Sequence, residues 1–391
     1  MSDAVEPASP PATPRLGFLL SGGGARAAYQ TGVLCHLGAR RPDLRVPILT
    51  GVSAGAINVG FLASYRGSFG QATRALRRRW LSLSTEEVFK TNPSSIFRNG
   101  LRVGTALLGG GSSFAPDIRS LMDTSPLRAF LSRSMAAGAI RERLTSGHLE
   151  AVALMALSYQ TGRTVLFVEG EASIRTEPAS AHHRVVRAAL TVDHIMGSAA
   201  IPLLFPAVKI GQQYYGDGSF RSTAPFGPAI ELGADRVFAI SARYPRTLAE
   251  ARQPEVVGYP PAARVLGILL NSVFLDTLDW DAANVRRINR LLDELPPEAR
   301  AREPLRHVDL HIQRPSEDIG IIAADFEDRL PRTMRFLVRG LGSTDTRSAD
   351  MLSYLLFDSA YIRRLIELGE ADAETHWDRI TTFLDAETSP E

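Results

Sequence analysis

The chain has 391 residues, a net charge of +2, 45% hydrophobic residues and 22% charged residues. This is the composition of a globular protein, and it excludes a disordered, collagen-like or disulfide-stapled chain. A net charge so near zero gives no general attraction to nucleic acid, so we expect no nucleic-acid partner. The length predicts two or three domains, or one large α/β unit with additions.

Residues 1–15 contain four prolines and few apolar side chains, which predicts a disordered tail. They do not show the charged start and apolar run of a signal peptide. No apolar run approaches the roughly 20 residues needed to cross a bilayer. The sequence therefore favours a soluble, cytoplasmic protein, with peripheral membrane contact or secretion without a cleaved signal as alternatives.

Two strand–turn–helix units follow the tail. An apolar run at residues 16–20 predicts a strand, and a helix is predicted over 25–37 after a glycine-rich turn. The same order repeats with a strand at 47–50 and a helix over 56–65. This alternation is typical of a parallel sheet in an α/β protein.

The remaining chain is less regular. Residues 81–125 mix glycine-rich stretches with apolar patches, which we interpret as an insertion. Apolar periodicity predicts strands at 151–159, 163–168, 213–215 and 236–240, with a helix over 185–196. From about residue 245 the pattern is mainly helical. We therefore divide the chain into residues 16–245 and a helical C-terminal region over 246–391.

A G-x-S-x-G pattern lies between the second strand and its helix. A nucleophilic serine must stand on a tight turn, and glycines two residues to either side allow the backbone to pack closely there. The helix that starts behind the serine also places a positive dipole end near a developing oxyanion. Ser53 is therefore a candidate nucleophile, supported by Gly51 and Gly55. The alternative is an ordinary turn with a small residue.

A glycine-rich loop follows the first strand and contains Gly22, Gly23, Gly24 and Arg26. Consecutive glycines at the start of a helix expose backbone N–H groups that can hold an anion, such as the oxyanion of an acyl-transfer reaction. The same stretch matches the dinucleotide fingerprint G-x-G-x-x-A, which also requires an acid at the end of the next strand. Asp43 has the right spacing but precedes that strand, so this alternative is the weaker one.

The pair Asp217-Gly218 follows a predicted strand, which makes Asp217 a candidate catalytic carboxylate. A simple hairpin turn is the alternative, because Asp-Gly is a common turn signal. Ser53 needs a base that takes its proton, and each of the eight histidines is also a candidate. His307, His311 and His376 follow Asp217 in the chain order of a Ser–Asp–His triad. Neither a zinc-binding H-E-x-x-H motif nor a cysteine cluster is present, so we expect no metal.

The combination of motifs resembles the patatin-like phospholipase family. The resemblance rests on residues 21–32 (SGGGARAAYQTG), on residues 51–55 (GVSAG), on Asp217-Gly218 and on residues 199–206 (AAIPLLFP). It covers residues 15 to about 245. It implies a three-layer α/β/α fold with a nucleophile elbow, followed by a mainly helical C-terminal extension.

The resemblance also implies a serine–aspartate dyad without histidine. Ser53 would be the nucleophile, Asp217 the general base, and the loop of Gly22, Gly23, Gly24 and Arg26 the oxyanion hole. No metal and no organic cofactor are implied. The function expected is a phospholipase or lipid esterase of lipid breakdown that acts through an acyl-serine intermediate. A non-catalytic lipid-binding or scaffold protein is the alternative, and a nucleotide-binding enzyme is a weaker one.

A lipid substrate would require contact with a membrane interface. We expect the insertion at 81–125 to be either a mobile lid or a core-packing excursion. As a lid it would touch lipid through the side chains of Phe89, Ile96, Phe97 and Leu101, with Arg98 and Arg102 near the phosphate. The sequence does not indicate an oligomeric state.

Overall fold

The computed structural model describes residues 14–90, 120–170, 183–253, 256, 258–340, 342 and 349–386. Most of the predicted tail lies outside these ranges. So do residues 91–119 of the predicted insertion, among them Ile96, Phe97, Arg98, Leu101 and Arg102.

Nine strands form one mixed sheet in the order β5-β4-β3-β2-β1-β8-β9, with β7 beside β3 and β6 beside β7. The strands are β1 Leu16–Leu20, β2 Ile48–Val52, β3 Ala151–Ser158, β4 Thr164–Gly170, β5 His183–Arg187, β6 Val208–Ile210, β7 Gln213–Asp217, β8 Arg236–Ile240 and β9 Asp309–Gln313. Strands β1, β2, β3, β8 and β9 are parallel, whereas β4 and β7 run antiparallel to β3.

In the described ranges, helices cover both faces of this sheet. They are α1 Ala28–Arg40, α2 Ala54–Ser64, α3 Phe69–Leu81, α4 Thr85–Val88, α5 Ser125–Ser134, α6 Ala139–Thr145, α7 Val192–Ser198, α8 Gly227–Glu231, α9 Leu248–Ala251, α10 Ala262–Asn271, α11 Thr277–Glu294, α12 Pro297–Arg300, α13 Ile319–Ala324, α14 Arg332–Gly340, α15 Asp350–Leu355, α16 Ser359–Thr375 and α17 Trp377–Asp385. A π-helical turn at Ser272–Asp276 joins α10 to α11.

The central strands are buried on both faces, as expected for parallel strands between two helical layers. Successive side chains of a strand point to opposite faces. On β1, Phe18 and Leu20 pack against α1, α2, α3 and α16. Leu19 points the other way, into a second core that includes α8 and α11. The predicted three-layer α/β/α fold is therefore confirmed.

The C-terminal region packs directly on the residues before 245. Strand β9 pairs with β8 in the same sheet, and α16 lies against α1. Two glycines allow the helix backbones to approach, because a Cβ at Gly32 would lie 2.0 Å from the carbonyl oxygen of Ile366 and one at Gly369 would lie 2.3 Å from that of Tyr29. The region is mainly helical, as expected, and it also supplies the edge strand β9. The division of the chain at residue 245 stays a prediction.

The structure contradicts one sequence prediction and, at Phe89, favours one of two alternatives that the sequence left open. The predicted helix over 185–196 begins only at Val192, because residues 183–187 form β5 and pair with β4. Phe89 is fully buried and its ring packs near those of Phe205 and Phe357, so this side chain belongs to the core instead of a lid. No helix in the described ranges is long and apolar enough to span a membrane.

Candidate active site

Ser53 occupies a sharp turn between β2 and α2. Its φ of 56° and ψ of −129° lie in a region that non-glycine residues rarely adopt. The flanking glycines are sterically required, since a Cβ at Gly55 would lie 2.0 Å from the carbonyl oxygen of Leu20 and one at Gly51 would lie 2.8 Å from that of Gly55. The turn therefore has the strained strand-to-helix geometry of a nucleophile elbow.

The backbone N–H of Ser53 donates a hydrogen bond to the Ser198 hydroxyl oxygen at 3.0 Å. Ser198 is the last residue of α7 and is fully buried. Sequence reasoning missed this residue, although it directly precedes the 199–206 segment that supports the family resemblance. The hydrogen bond joins the turn to the end of α7.

Strand pairing brings Asp217 to Ser53. Val52 at the end of β2 pairs with Met155 of β3, and the next residue of β3, Ala156, pairs with Asp217 at the end of β7. Strand β3 is thus the bridge between the two candidate residues. Gly218 is required after Asp217, because a Cβ there would lie 2.5 Å from the Met155 carbonyl oxygen.

The Asp217 carboxyl is fully buried. Its Oδ1 accepts a hydrogen bond from the Ser219 N–H at 2.9 Å, whereas Oδ2 has no partner with hydrogen-bond geometry in the described part of the chain. Burial raises the pKa of Asp217 to about 7, and the nearby Ser53 hydroxyl and the hydrogen bonds from Ser219 oppose that rise. The Ser53 hydroxyl therefore lies near this carboxyl but does not meet the geometry of a hydrogen bond, as is common before substrate binds.

The glycine loop lies against Ser53. A Cβ at Gly22 would lie 3.1 Å from the Ser53 Cβ and 2.9 Å from the Ser219 hydroxyl oxygen. Gly23 and Gly24 have φ angles of 150° and 56°, which only glycine adopts at little cost. Three consecutive residues without side chains therefore leave backbone as the nearest surface to the serine.

The Arg26 side chain points to the C-terminal region instead of Ser53. Its guanidinium forms an ion pair with Asp350 at 2.8 Å, donates to the Ser353 hydroxyl at 2.6 Å and lies 4.4 Å from the centre of the Tyr354 ring. Asp350 also pairs with Arg264 at 3.0 Å. These contacts place the guanidinium as an anchor of the glycine loop on α15, not as a group that faces the serine.

An apolar cleft begins at Ser53 and Gly24. Its walls come from α2, α3, α5 and the 199–206 segment, with Tyr354 and Phe357 from the C-terminal region. The open volume of the cleft is small, about 50 Å³. A bulky polar group does not fit this space, and side chains must move to admit a long hydrocarbon chain.

The histidines that could complete a triad lie elsewhere. His307 pairs with Asp293 and Asp309 at 3.1 Å, and His311 stacks on Phe238. Within the described ranges, none of the histidines has a recorded contact with Ser53 or Asp217, and no three potential metal ligands come together.

The structure also gives no support to the dinucleotide-binding alternative, whose second requirement is an acid at the end of β2. Asp43 is exposed in the loop before β2, whereas the fingerprint needs an acid at the end of that strand. The end of β2 is occupied by Val52, directly before the turn at Ser53.

The sheet, the strained serine turn and the glycine loop define an α/β protein with a glycine-flanked serine between a strand and a helix. Residues 18–230, more than half of the chain, match the family model of the patatin-like phospholipases. The chain therefore belongs to the patatin-like phospholipase family, a family of lipid hydrolases. A search of the curated proteins found no significant match.

Several solved structures are similar to this chain at low identity. Human GIVD cytosolic phospholipase A2 has 12% identity and a TM-score of 0.42 over 95% of this chain and 62% of that chain. VipD from Legionella pneumophila has 13% identity and a TM-score of 0.34 over 91% of this chain and 67% of that chain. ExoU from the Pseudomonas aeruginosa type III secretion system has 15% identity and a TM-score of 0.28 over 88% and 75%. The match thus spans less than two thirds of the human enzyme.

Proposed function

We propose that this protein is a serine acyl hydrolase that cleaves phospholipids or other lipid esters with a Ser53–Asp217 dyad. The observation that supports it most is the Asp217 carboxyl. It is buried beside the strained Ser53 turn, its Oδ2 has no partner with hydrogen-bond geometry among the described residues, and burial raises its pKa to about 7. A general base is most effective when its pKa lies near the working pH.

The proposed reaction has two steps. The Ser53 hydroxyl oxygen attacks the ester carbonyl while Asp217 takes its proton, and the tetrahedral intermediate places its oxyanion on the glycine loop of residues 22–24. Collapse of the intermediate breaks the ester bond, and Asp217 returns the proton to the leaving alcohol. Water, activated by the same carboxylate, then hydrolyses the acyl-serine and releases the fatty acid. No metal or organic cofactor takes part.

The apolar cleft suits the acyl side of the substrate. Its lining is almost entirely apolar and starts at the nucleophile, so a hydrocarbon chain bound there would present its carbonyl to Ser53. The head group would remain outside, because the cleft offers few polar partners. This arrangement supports a lipid ester over a small polar ester.

Helix α10 offers an apolar surface beside this site for transient contact with lipid. Four of its side chains are between 39% and 55% exposed: Val265, Leu266, Ile268 and Leu269. The helix continues into the π-helical turn, where Phe274 packs so close to the glycine loop that a Cβ at Gly22 would lie 2.8 Å from its ring. We propose that α10 rests on the lipid surface during catalysis, and that the protein is otherwise soluble and cytoplasmic.

The double substitution Leu266→Asp/Leu269→Asp should weaken binding to phosphatidylcholine vesicles at least tenfold, measured by co-sedimentation. Losing the burial of even one leucine in lipid costs about 1.5–3 kcal/mol. Hydrolysis of a soluble short-chain ester should not change. The matched control is Leu291→Asp/Leu305→Asp, two side chains of similar exposure. Equal losses in both variants would contradict a specific role for α10.

A fluorophosphonate probe tests the proposed chemistry directly. The folded protein should be labelled at Ser53, located by mass spectrometry of the modified peptide, because activated serines attack the probe phosphorus. Ser53→Ala should remove the label, whereas Ser64→Ala, a buried serine at the end of the same helix, should keep it. A well-folded protein that stays unlabelled would favour the non-catalytic lipid-binding alternative.

A further inference from the structure

A second cavity lies at the carboxyl end of β9, apart from the apolar cleft. Its volume is about 400 Å³, within the range of small-molecule sites. Its lining contains three arginines, two histidines and no carboxylate: Arg286, Arg314, Arg379, His311 and His376. Such a set of donors without an acid is matched to an anion.

The positive charge around this cavity is only partly neutralised. Arg314 pairs with Asp279, and Arg243 pairs with both Asp279 and Asp276, so these two arginines and two aspartates balance one another. Arg286 and Arg379 are exposed and have no ion pair in the described part of the chain. Two guanidinium groups are thus left to face a shared space of small-ligand size.

His311 is a fixed part of the cavity wall. Its ring stacks on Phe238 with the centroids 4.8 Å apart, and it packs against Phe383, so its orientation is held. Its Nε2 is buried and has no hydrogen-bond partner within the described residues. Burial is the main cause that lowers the pKa of His311 to about 4; the hydrogen bond with Gln313 opposes this shift, and the nearby Arg379 and His376 add to it. The ring is therefore neutral at pH 7.

The position in the sheet favours a ligand. Strand β9 is parallel to β8, β1 and β2, so this cavity and the Ser53 turn lie at the same edge of the sheet. In open α/β sheets, ligands bind at the carboxyl ends of the strands. Strands β9 and β2 are three positions apart, which places these two strands about 14 Å from each other.

We propose that this cavity binds a phosphate monoester through Arg286, Arg314 and Arg379. A planar guanidinium group can bind two phosphate oxygens at once. A cavity of about 400 Å³ has space for a phosphate with a small organic group. The phosphate can be part of a soluble metabolite or of a lipid head group. The binding does not depend on the chemistry proposed for Ser53.

The test uses the full chain and two sources of the same phosphate. Glycerol 3-phosphate is titrated by calorimetry into the wild-type protein. Vesicles of phosphatidylcholine, with and without phosphatidic acid, are titrated into the Ser53→Ala protein so that no lipid is consumed. Saturable binding of glycerol 3-phosphate would identify a soluble ligand, and binding that needs phosphatidic acid would identify a lipid head group.

The double variant Arg286→Ala/Arg379→Ala should lower the affinity for the probe that binds at least tenfold, since it removes charge-assisted hydrogen bonds to phosphate, which are stronger than those between neutral groups. The control is Arg287→Ala/Arg290→Ala, which removes two exposed arginines of α11 that do not line the cavity. Both variants remove exposed side chains, and thermal unfolding verifies their fold. No binding of either probe, or the same loss in the control, would overturn the proposal. Neither outcome bears on the labelling of Ser53.

Discussion

Replacing Ser53 by alanine should lower kcat/KM for a short p-nitrophenyl ester by about 10⁴ or more, the size of loss seen when a nucleophilic serine is removed. The substitution deletes one oxygen and keeps the backbone turn, whose φ of 56° strains alanine as it strains serine. The folded structure should therefore survive, with a melting temperature close to that of the wild-type protein. Activity would be lost because no acyl-enzyme can form, and not because the protein unfolds.

The histidines supply the control for the choice of base. His307→Ala and His311→Ala should each retain most of the esterase activity, because the structure places both side chains in other contacts. A loss at either position as large as that at Ser53 would indicate a histidine-containing triad. Full activity in Ser53→Ala would exclude the dyad altogether.

The turn at Ser53 could be predicted because its requirements are local. A strand, two glycines around a serine and a following helix are all present within a short stretch, and the structure gives each a steric reason. The fold class could be predicted for the same reason, since the strand–turn–helix alternation repeats early in the chain. The family then follows from motifs that are themselves local.

The meeting of Ser53 and Asp217 is not a local property. It depends on β3, which lies between β2 and β7, and the order of strands in a sheet cannot be derived from the periodicity of any one strand. Only the resemblance to a known family joined the two residues in advance. Ser198, which accepts from the Ser53 N–H, shows the same limit, because it comes from a helix far along the chain.

Arg26 lies in the predicted glycine loop, but the sequence did not indicate where its side chain points. Its place in the glycine loop indicated an oxyanion role, but its guanidinium is buried against Asp350, Ser353 and Tyr354. Burial raises the pKa of Asp350, but its contacts with Arg26, Asn271 and Arg264 lower it overall. The C-terminal region thus helps to hold the glycine loop, a coupling that no motif in the sequence records.

The helix predicted over 185–196 from apolar spacing overlaps residues 185–187, which belong to β5. Val185 and Val186 fit a helical stripe with the residues after them, but they are β-branched and pair in register with Leu166 and Phe167 of β4. Sheet pairing of this kind outweighs the weak preference of a short segment.

The second large effect concerns the pH dependence of Asp217. The activity should rise as the pH increases through about 7 and then level off, because a protonated carboxyl cannot take the proton of Ser53. Asp217→Asn should remove this dependence together with most of the activity. The measurement is kcat/KM between pH 5 and 9 for a soluble ester. A midpoint near 4 would contradict the burial of a proton-binding base.

The same carboxyl should leave a signature in stability that does not require activity. Burial raises its pKa from 3.8 to about 7, so the folded protein binds this proton more tightly than the unfolded chain. The associated stabilisation is complete below pH 3.8 and is lost as the pH rises through 7, and it amounts to about 4 kcal/mol at most. Asparagine has no charge to bury at any pH.

The melting temperature of Asp217→Asn relative to wild type should therefore increase between pH 5 and pH 8. The isosteric amide retains an oxygen that can accept from the Ser219 N–H, so the two proteins differ mainly in the ionisable group. A difference that stays constant over this range would show that Asp217 titrates far below 7. In that case Asp217 would lack the raised pKa that makes it an effective base near pH 7, even if the fluorophosphonate probe labelled Ser53. A rising difference, with activity lost in the same variant, would link the cost of burying this carboxylate to its use in catalysis.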